Sequence, residues 1–348
     1  MNTLGLDIGG ANIKAASSGG RTISRPFAIW KHPEHLGSHI ASICREFPEA
    51  QQLAVVMTAE LADCFATKNE GVHFILDQVE AGAPRLPYMA WTTDGQFVSG
   101  GAARDQPMLV AAANWHALAT WVGRTLIRED VSQPPIPESS SILIDIGTTT
   151  TDIIPLVNGR PASTGKTDTT RLQSGELCYS GVKRTPVCAI AHSVPFHDGY
   201  CALAAELFAT TLDVHLLLGA IPENEADLET ANGRPATRAA AHDRLARMLC
   251  ADRQEVTVED AVHIAKFLAD VQRQRLAGAL GRVVHRLPGE CQTVVVSGSG
   301  AFLARQLAAG NRRTSLARTI SLDDLLSPGI AESACAYAVA QLAAGATT

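Results

Sequence analysis

An Asp-x-Gly triplet directly after an apolar run occurs twice in the chain and constrains its fold more than any other feature. Asp7-Ile8-Gly9 follows the apolar segment that starts at Thr3, and Asp145-Ile146-Gly147 follows the one that starts at Ile142. A small polar turn and a second extended segment come next in both copies, which predicts a strand, a tight turn and a second strand. The two copies are 138 positions apart (145 minus 7), so the chain is expected to contain two halves of related architecture.

The rest of the apolar pattern alternates between helical and strand spacing. Helical spacing over 35–47 is followed by a buried-strand composition over 53–57, and Thr257 starts a long amphipathic helix that continues towards Leu287. A buried strand over 293–296 passes into a further helix, and an alanine-rich helix over 331–344 is expected to pack inside. Strands that alternate with helices predict an α/β protein.

Length and linker composition predict two domains. The 348 residues exceed what a single hydrophobic core usually encloses, so two domains with a ligand cleft between them are expected. The segment 132–141 reads Ser-Gln-Pro-Pro-Ile-Pro-Glu-Ser-Ser-Ser, which is typical of a linker. We therefore predict an N-terminal domain over 1–138 with the first Asp-x-Gly turn and a C-terminal domain over 139–348 with the second.

Charge and composition exclude several classes of partner. The net charge of -6 and the pI near 6.0 argue against a protein that holds nucleic acid by its phosphates. The N-terminus lacks a signal-peptide pattern, and no apolar run reaches the roughly 18 residues of a membrane helix, which predicts a cytoplasmic protein without a membrane partner. The eight cysteines form no CxxC pair, so buried thiols are expected rather than disulfides or a zinc site. The sequence does not determine whether the protein forms a homo-oligomer.

The two Asp-x-Gly turns predict phosphate binding. Glycines let backbone N–H groups approach an anion, and side-chain amides and hydroxyls add donors. The residues expected to bind phosphate are Gly9, Gly10, Asn12, Gly147, Thr148, Thr149, Thr150 and Thr151. Because a carboxylate repels phosphate, Asp7 and Asp145 are expected to act through Mg²⁺ or a positioned water, with Lys14 as a third catalytic candidate.

A third loop, Ser297-Gly298-Ser299-Gly300, lies between a predicted strand and a predicted helix. Gly298, Ser299 and Gly300 are expected to admit a flat ligand such as a nucleoside or a substrate at the helix N-terminus. A valine in place of Gly298 is expected to crowd that ligand. One Asp-x-Gly turn alone is a common hairpin signal without a ligand, but two copies and this loop together favour phosphate chemistry.

The order of the three loops resembles the phosphate-1, phosphate-2 and adenosine motifs of the actin-like ATPase fold, in which two ribonuclease H-like domains face each other across a cleft. The segments 57–71, Asn114-Trp115 and 171–187 are similar to hydantoinase A/oxoprolinase-related proteins of tetrahydromethanopterin-linked one-carbon transfer, whose archaeal relatives include a synthase of methanofuran biosynthesis. The resemblance implies a transferase that couples a furanylmethyl diphosphate to a tyramine-type phenolic amine and releases pyrophosphate. Mg²⁺ and the phosphate turns would hold the leaving diphosphate, without ATP.

Two other functions stay open. An ATP-dependent small-molecule kinase or acyl-phosphate-forming enzyme would use the same turns, with the third loop on adenosine. A non-catalytic nucleotide-binding protein that regulates a partner is disfavoured, because no long partner-binding domain or charged tail is evident in the sequence.

Further substrate-binding candidates are Glu60, Asp63, Lys68, Arg171, Lys183 and Arg184. The first three follow an apolar strand end, where α/β enzymes place functional groups, although a solvated helix start would have the same composition. The last three lie in an irregular, glycine-containing stretch and either bind anions or are ordinary surface cations.

Three histidines are spaced so that a helical turn could bring them to one face. His32, His35 and His39 would then form a metal site, but Pro33 and Gly37 weaken such a helix. A solvated helix start is the alternative.

Overall fold

The computed structural model describes residues 2–129 and 139–346, so most of the predicted linker lies outside the described residues. The strands are β1 Thr3–Ile8, β2 Asn12–Ser17, β3 Thr22–Pro26, β4 Gln52–Met57, β5 Tyr88–Trp91, β6 Phe97–Ser99, β7 Ser140–Ile146, β8 Thr151–Val157, β9 Arg160–Pro161, β10 Leu177–Cys178, β11 Ser193–Phe196, β12 Gly199–Ala202, β13 Cys291–Ser297 and β14 Arg318–Ser321. The helices are α1 Leu36–Glu46, α2 Lys68–Gly82, α3 Gly100–Asp105, α4 Pro107–Val110, α5 Asn114–Glu129, α6 Asp168–Ser174, α7 Thr211–Leu217, α8 Arg238–Arg247, α9 Val258–His285, α10 Ala301–Gly310, α11 Leu322–Leu325, α12 Pro328–Glu332 and α13 Ala334–Ala346. The α/β class, the two strand–turn–strand units and the long helix after Thr257 are thereby confirmed.

The first sheet has the strand order β3-β2-β1-β4-β5-β6. β4 pairs parallel with both β1 and β5, whereas β2 pairs antiparallel with β1. The second sheet has the order β10-β8-β7-β13-β14, and β9 also pairs with β8. Both sheets therefore place the two strands of the Asp-x-Gly hairpin at equivalent positions, and both have the ribonuclease H-like strand order of the actin-like ATPase fold.

β4 is buried along its whole length, which explains why its sequence is a continuous apolar run. On one face, Val55 belongs to a core with Ile40 of α1 and Ile75 of α2. On the other face, Val56 packs in a cluster with Val339 of α13. The alanine-rich C-terminal helix is therefore a core element of the first sheet, as its composition predicts.

The chain divides into two compact units that are not continuous in sequence. The first comprises 1–141, 154–171 and 322–348, and the second comprises 142–153 and 172–321. A single boundary at 138/139 does not describe this division, because α13 packs against β4, far away in the sequence.

The cysteines differ from the prediction. Only Cys291 among the eight cysteines is a buried residue, and Cys250 is exposed, so the expectation of buried thiols is wrong for most of them. Within the described parts of the chain, no helix has the length and apolar composition needed to cross a membrane.

Candidate functional site

The two Asp-x-Gly hairpins close with the same hydrogen bond. In the first, the Gly9 N–H donates to the carbonyl oxygen of Asn12 at 3.0 Å, and in the second, the Gly147 N–H donates to the carbonyl oxygen of Thr150 at 2.9 Å. Each turn therefore has a two-residue tip, at 10–11 in the first unit and at 148–149 in the second. The sequence repeat is thus a repeat of backbone geometry.

Neighbouring segments engage the carbonyl groups of the tip in the first turn. Ile29 N–H donates to the Gly10 carbonyl oxygen at 3.1 Å, and Phe27 N–H donates to that of Ala11 at 2.9 Å. Within residues 2–129 and 139–346, the N–H groups of Gly10 and Ala11 have no acceptor. The tip therefore presents donors and hides acceptors, which is the polarity that an anion requires.

The second tip has the same free N–H groups, and one of its two carbonyl groups is engaged. Lys183 N–H and Arg184 N–H donate to the carbonyl oxygen of Thr148 at 3.0 and 2.9 Å. The N–H groups of Thr148 and Thr149 have no acceptor among the residues that the structure describes. The Thr148 side chain is exposed and that of Thr149 is half-buried, so hydroxyl donors accompany the backbone donors at this tip.

Thr151 lies apart from this group of donors. Its side chain is buried, and its Oγ1 donates to the carbonyl oxygen of Ser180 at 2.6 Å. The hydroxyl fixes β8 to the segment behind the second turn and is not available at the tip, in contrast to the prediction that Thr151 binds phosphate.

Asp7 places a carboxylate beside the first tip. Its Oδ1 is buried and has no hydrogen-bond partner among the described residues. Burial raises the pKa of Asp7 to about 6, while the positive charge of Lys14 acts in the opposite direction. A buried carboxylate oxygen without a donor is what a ligand for a hard cation looks like before the cation binds, so the residues present fit Mg²⁺.

Lys14 lies directly opposite Asp7 in the β1–β2 ladder. Its Nζ donates to the carbonyl oxygen of Glu332 at 2.7 Å. Lys14 therefore links β2 to the end of α12, and its charge reaches the first turn through space.

The third loop packs directly on the second turn. Gly298 has φ +84, and a Cβ added there would lie 2.3 Å from the carbonyl oxygen of Ile146 and 2.6 Å from Asp145 Oδ1. Gly300 N–H donates to the same Ile146 carbonyl at 2.8 Å. Gly298→Val would therefore distort the second turn whatever its ligand, which corrects the expectation that it selectively crowds a nucleoside.

Two of the predicted basic residues, Lys183 and Arg184, lie beside the second turn, because their backbone N–H groups donate to Thr148. Lys183 Nζ forms an ion pair with Asp227 Oδ2 at 2.9 Å, and Arg184 is exposed. The backbone of both cations is thus close to the tip although they lie 35 and 36 positions later in the sequence (183 and 184 minus 148), and Asp227 is a partner that the sequence did not indicate.

Glu60 lies three residues after β4, beside the first turn. Thr58 N–H donates to the carbonyl oxygen of Ile8 at 3.0 Å, which fixes this edge of β4 against the Asp7 hairpin. Glu60 is only 1% exposed, and its Oε2 has no partner among the described residues. Burial raises its pKa to about 7, although the N–H groups of Glu60 and Ala112 and the charge of Lys68 act in the opposite direction.

The other charged candidates of the first unit differ in their positions. Lys68 Nζ pairs with Asp168 Oδ2 at 2.9 Å, and Asp63 is exposed in a turn. Arg171 lies in α6, is 1% exposed and stacks on the Trp115 ring, with its guanidinium carbon 3.9 Å from the ring centroid. The interpretation of Arg171 as an ordinary surface cation is therefore wrong.

The histidine group differs from the prediction. A 3₁₀ helix over Pro33–His35 brings ligand atoms of His32, Glu34 and His35 within 4.8 Å of one another, and all three residues are exposed. His39 packs on Phe27 instead, with ring centroids 4.6 Å apart. The group contains a carboxylate that the sequence analysis did not include and lacks one predicted histidine.

A buried polar network, which the sequence did not indicate, lies behind the second turn. Gln272 of α9 donates from Nε2 to Ser180 Oγ at 3.1 Å and to the Gly181 carbonyl oxygen at 2.9 Å. His215 Nε2 lies 3.0 Å from Gln272 Oε1. A glutamine in a long amphipathic helix carries no signal of this role, since its burial depends on tertiary packing.

Solved structures resemble this chain only at low identity. The nucleotide-free structure of acetone carboxylase is 12% identical, with a TM-score of 0.48 over 94% of this chain and 51% of that chain. The ROK hexokinase from Thermus thermophilus is 13% identical, with a TM-score of 0.42 over 100% of this chain and 99% of that chain.

Sequence comparisons cover nearly the whole chain. A (4-{4-[2-(gamma-L-glutamylamino)ethyl]phenoxymethyl}furan-2-yl)methanamine synthase from Methanocaldococcus jannaschii is 32% identical over 333 residues, or 94% of this chain and 95% of the synthase. The synthase of the same name from Methanococcus vannielii is 38% identical over 128 residues, or 37% of this chain and 57% of that protein. The model of the hydantoinase/oxoprolinase family matches residues 51–345. The chain therefore belongs to the hydantoinase/oxoprolinase family.

Proposed function

We propose that this protein is a transferase of methanofuran-type cofactor biosynthesis, which joins a furanylmethyl diphosphate to a tyramine-type phenol and releases pyrophosphate. The observation that carries the proposal is the 32% identity over 94% of the chain to a synthase whose printed name describes a phenoxymethyl-furan ether. The two hairpin tips have N–H groups without an acceptor among the described residues, and three of their four carbonyl groups are engaged, which suits a substrate with phosphate groups.

The product in the relative's name indicates which bond is made. A furanylmethyl carbon can carry positive charge, because the ring oxygen donates electron density, whereas the aryl carbon of a phenol cannot act as the electrophile in this way. The phenol oxygen therefore forms the new C–O bond to the furanylmethyl carbon. The bond from that carbon to the diphosphate breaks, pyrophosphate leaves with the electron pair, and the phenol proton goes to a base.

The residues of the chain would divide this work. The N–H groups at the two tips, 10–11 and 148–149, and the side chains of Asn12 and of 148–150 would donate hydrogen bonds to phosphate oxygens. Gly9 and Gly147 close the two hairpins and let the backbone approach the anion. Asp7 in the first unit and Asp145 in the second would each hold Mg²⁺, directly or through water, and the metal would neutralise charge on the leaving diphosphate. Lys14 contributes positive charge to the first turn.

The test is a product assay without ATP. The diphosphate of a hydroxymethyl-furan methanamine is incubated with γ-glutamyltyramine, Mg²⁺ and the protein, and ether and pyrophosphate are quantified. We expect equal amounts of both products, and reactions without the phenol serve as the control. Strict dependence on ATP, with release of ADP, would instead support the kinase or acyl-phosphate alternative.

A further inference from the structure

We propose that Glu60 is the base that accepts the proton of the phenol acceptor while the ether bond forms. This inference rests on the proposed function and assigns a catalytic residue to it. Its basis is the position of Glu60 beside the first turn, the absence of a hydrogen-bond partner for its Oε2 within 2–129 and 139–346, and the support that other segments give to its backbone.

Glu60 lies at the same edge of the first sheet as the Asp7 turn. β1 and β4 are adjacent and parallel, with Ile8 in register with Met57, so both chain segments leave the sheet at one edge. A Cβ on Gly9 would lie 3.6 Å from Thr58 Oγ1. Since two residues span at most about 7 Å, the Glu60 backbone lies within that distance of Thr58. An acceptor that attacks the carbon next to a bound diphosphate has to approach this edge.

The surrounding structure holds Glu60 but leaves one of its carboxylate oxygens unused. Helix α2 approaches so closely that a Cβ on Gly71 would lie 2.1 Å from the Glu60 carbonyl oxygen. The N–H of Ala112 acts to lower the pKa of the carboxylate, and Ala112 has φ 47, which is uncommon for a residue with a side chain. Strained backbone that supports a buried, incompletely paired acid is typical of functional sites.

The neighbouring charges suit a proton acceptor. Lys68 and Asp168, which form an ion pair, both act on Glu60, and their effects on its pKa are opposite in sign. Burial makes the largest contribution, so the pKa of Glu60 rises to about 7, a value at which a carboxylate accepts protons efficiently near neutral pH. In the reaction, the phenol O–H bond breaks, its proton passes to the Glu60 carboxylate, and the oxygen lone pair forms the ether bond. Because Oε2 is buried, this transfer requires the site to open at Glu60 or a water to relay the proton.

The experiment compares Glu60→Gln with the wild-type protein over a series of tyramine acceptors whose phenols are made progressively more acidic by ring fluorination. With the unmodified phenol, we expect Glu60→Gln to form ether about 10² to 10⁴-fold more slowly. With phenols that are already ionised at the assay pH, the defect should shrink towards the wild-type rate, because no base is needed. A purely structural role would reduce all rates by the same factor.

Glu70→Gln is the matched control. Glu70 lies in the same segment, is exposed, and accepts a hydrogen bond from Ala66 N–H that a glutamine oxygen can also accept. This variant should behave as wild type with every phenol. Glu60→Asp keeps a carboxylate, so its rate of ether formation should depend only weakly on phenol acidity, as in the wild type. The rate of Glu60→Gln should depend on it steeply.

The outcomes separate the two proposals. If the wild-type protein forms ether while Glu60→Gln matches it, or is slowed equally with all phenols, Glu60 is not the base and the proposed function stands. An equally steep dependence on phenol acidity in Glu60→Asp and Glu60→Gln would also overturn the assignment. If the wild-type protein forms no ether and releases no pyrophosphate, the proposed function fails, and the role of Glu60 fails with it.

Discussion

The burial of Glu60 has a measurable consequence for stability. Its pKa rises from the ordinary value of 4.5 to about 7 in the folded protein. At about 1.4 kcal/mol for each pH unit, the rise corresponds to about 3 kcal/mol of preference for the protonated form. Above pH 7 the folded protein has to hold a buried charge that the unfolded chain holds in water, whereas below pH 4.5 both states are protonated. Glu60 therefore lowers the free energy of unfolding at pH 8 and has no such effect at pH 4.

Glu60→Gln removes this pH-dependent penalty. We expect the difference in unfolding free energy between variant and wild type to be about 3 kcal/mol more favourable to the variant at pH 8 than at pH 4. Any fixed effect of the amide, such as an unpaired N–H of about 1 to 3 kcal/mol, is present at both pH values and cancels in this comparison. The sign is the opposite of that for a salt-bridged carboxylate, whose contribution to stability grows as pH rises.

Urea unfolding followed by tryptophan fluorescence measures this effect in the correct part of the molecule. Trp30, Trp91, Trp115 and Trp121 are the four tryptophans of the chain, and all belong to the first unit. Glu70→Gln again serves as the control and should show no comparable dependence on pH. An equal difference between Glu60→Gln and wild type at both pH values would refute the reasoning, because it would mean that Glu60 has the same pKa in the folded and unfolded states.

Two further predictions concern the second unit. Asp145→Asn should lower turnover by about 10²-fold or more, because the change removes a metal-directed charge and keeps the shape of the side chain. The urea midpoint should stay within error of the wild type, and an unchanged rate would exclude Asp145 from the reaction. Gln272→Leu should weaken pyrophosphate binding about tenfold in calorimetry, since it removes the hydrogen bonds to Ser180 and Gly181 behind the second turn. Gln254→Leu, at an exposed position, is the control, and equal affinities in both variants would contradict the role of Gln272.

Local signals in the sequence were sufficient to predict the elements that carry the two Asp-x-Gly turns. The Asp-x-Gly hairpins are specified by residues within about ten positions, and Asn158 and Gly159 adopt φ 51 and φ 67 in the two-residue turn that the Asn-Gly pair predicts. The alanine-rich composition of α13 predicted burial. It did not identify the unit in which the helix is buried, because that depends on the complementary surface of β4.

The properties of single site residues depended on contacts that local sequence does not encode. Glu60 and Asp63 have the same local context after a strand, yet one is 1% exposed and the other lies in an exposed turn. Arg171 becomes buried because Trp115, 56 positions earlier (171 minus 115), offers an aromatic face. Asp168 becomes relevant because it pairs with Lys68. Each of these relations requires two segments that are distant in sequence.

The two halves of the repeat differ at one equivalent position, and this difference bears on their roles. In the sheet orders, β4 and β13 are equivalent, since each lies next to the first strand of the Asp-x-Gly hairpin on the side away from the second. After β13 the chain continues as Gly298-Ser299-Gly300, where added Cβ atoms on the glycines would collide with Ile146. After β4 it continues as Thr58-Ala59-Glu60, which ends in a buried carboxylate.

The same scaffold therefore supplies two different chemical groups at equivalent strand ends. The repeated hairpins supply backbone donors, which under the proposed function would bind anions without discriminating between substrates. The glycines after β13 pack against the second turn and have no group that exchanges a proton, whereas the strand end after β4 has the carboxylate of Glu60. If both halves only bound phosphate, a carboxylate at this edge of the first sheet would weaken binding by repulsion. Its presence there is consistent with an acceptor that has a proton to lose, and this is the feature that the fluorinated phenols test.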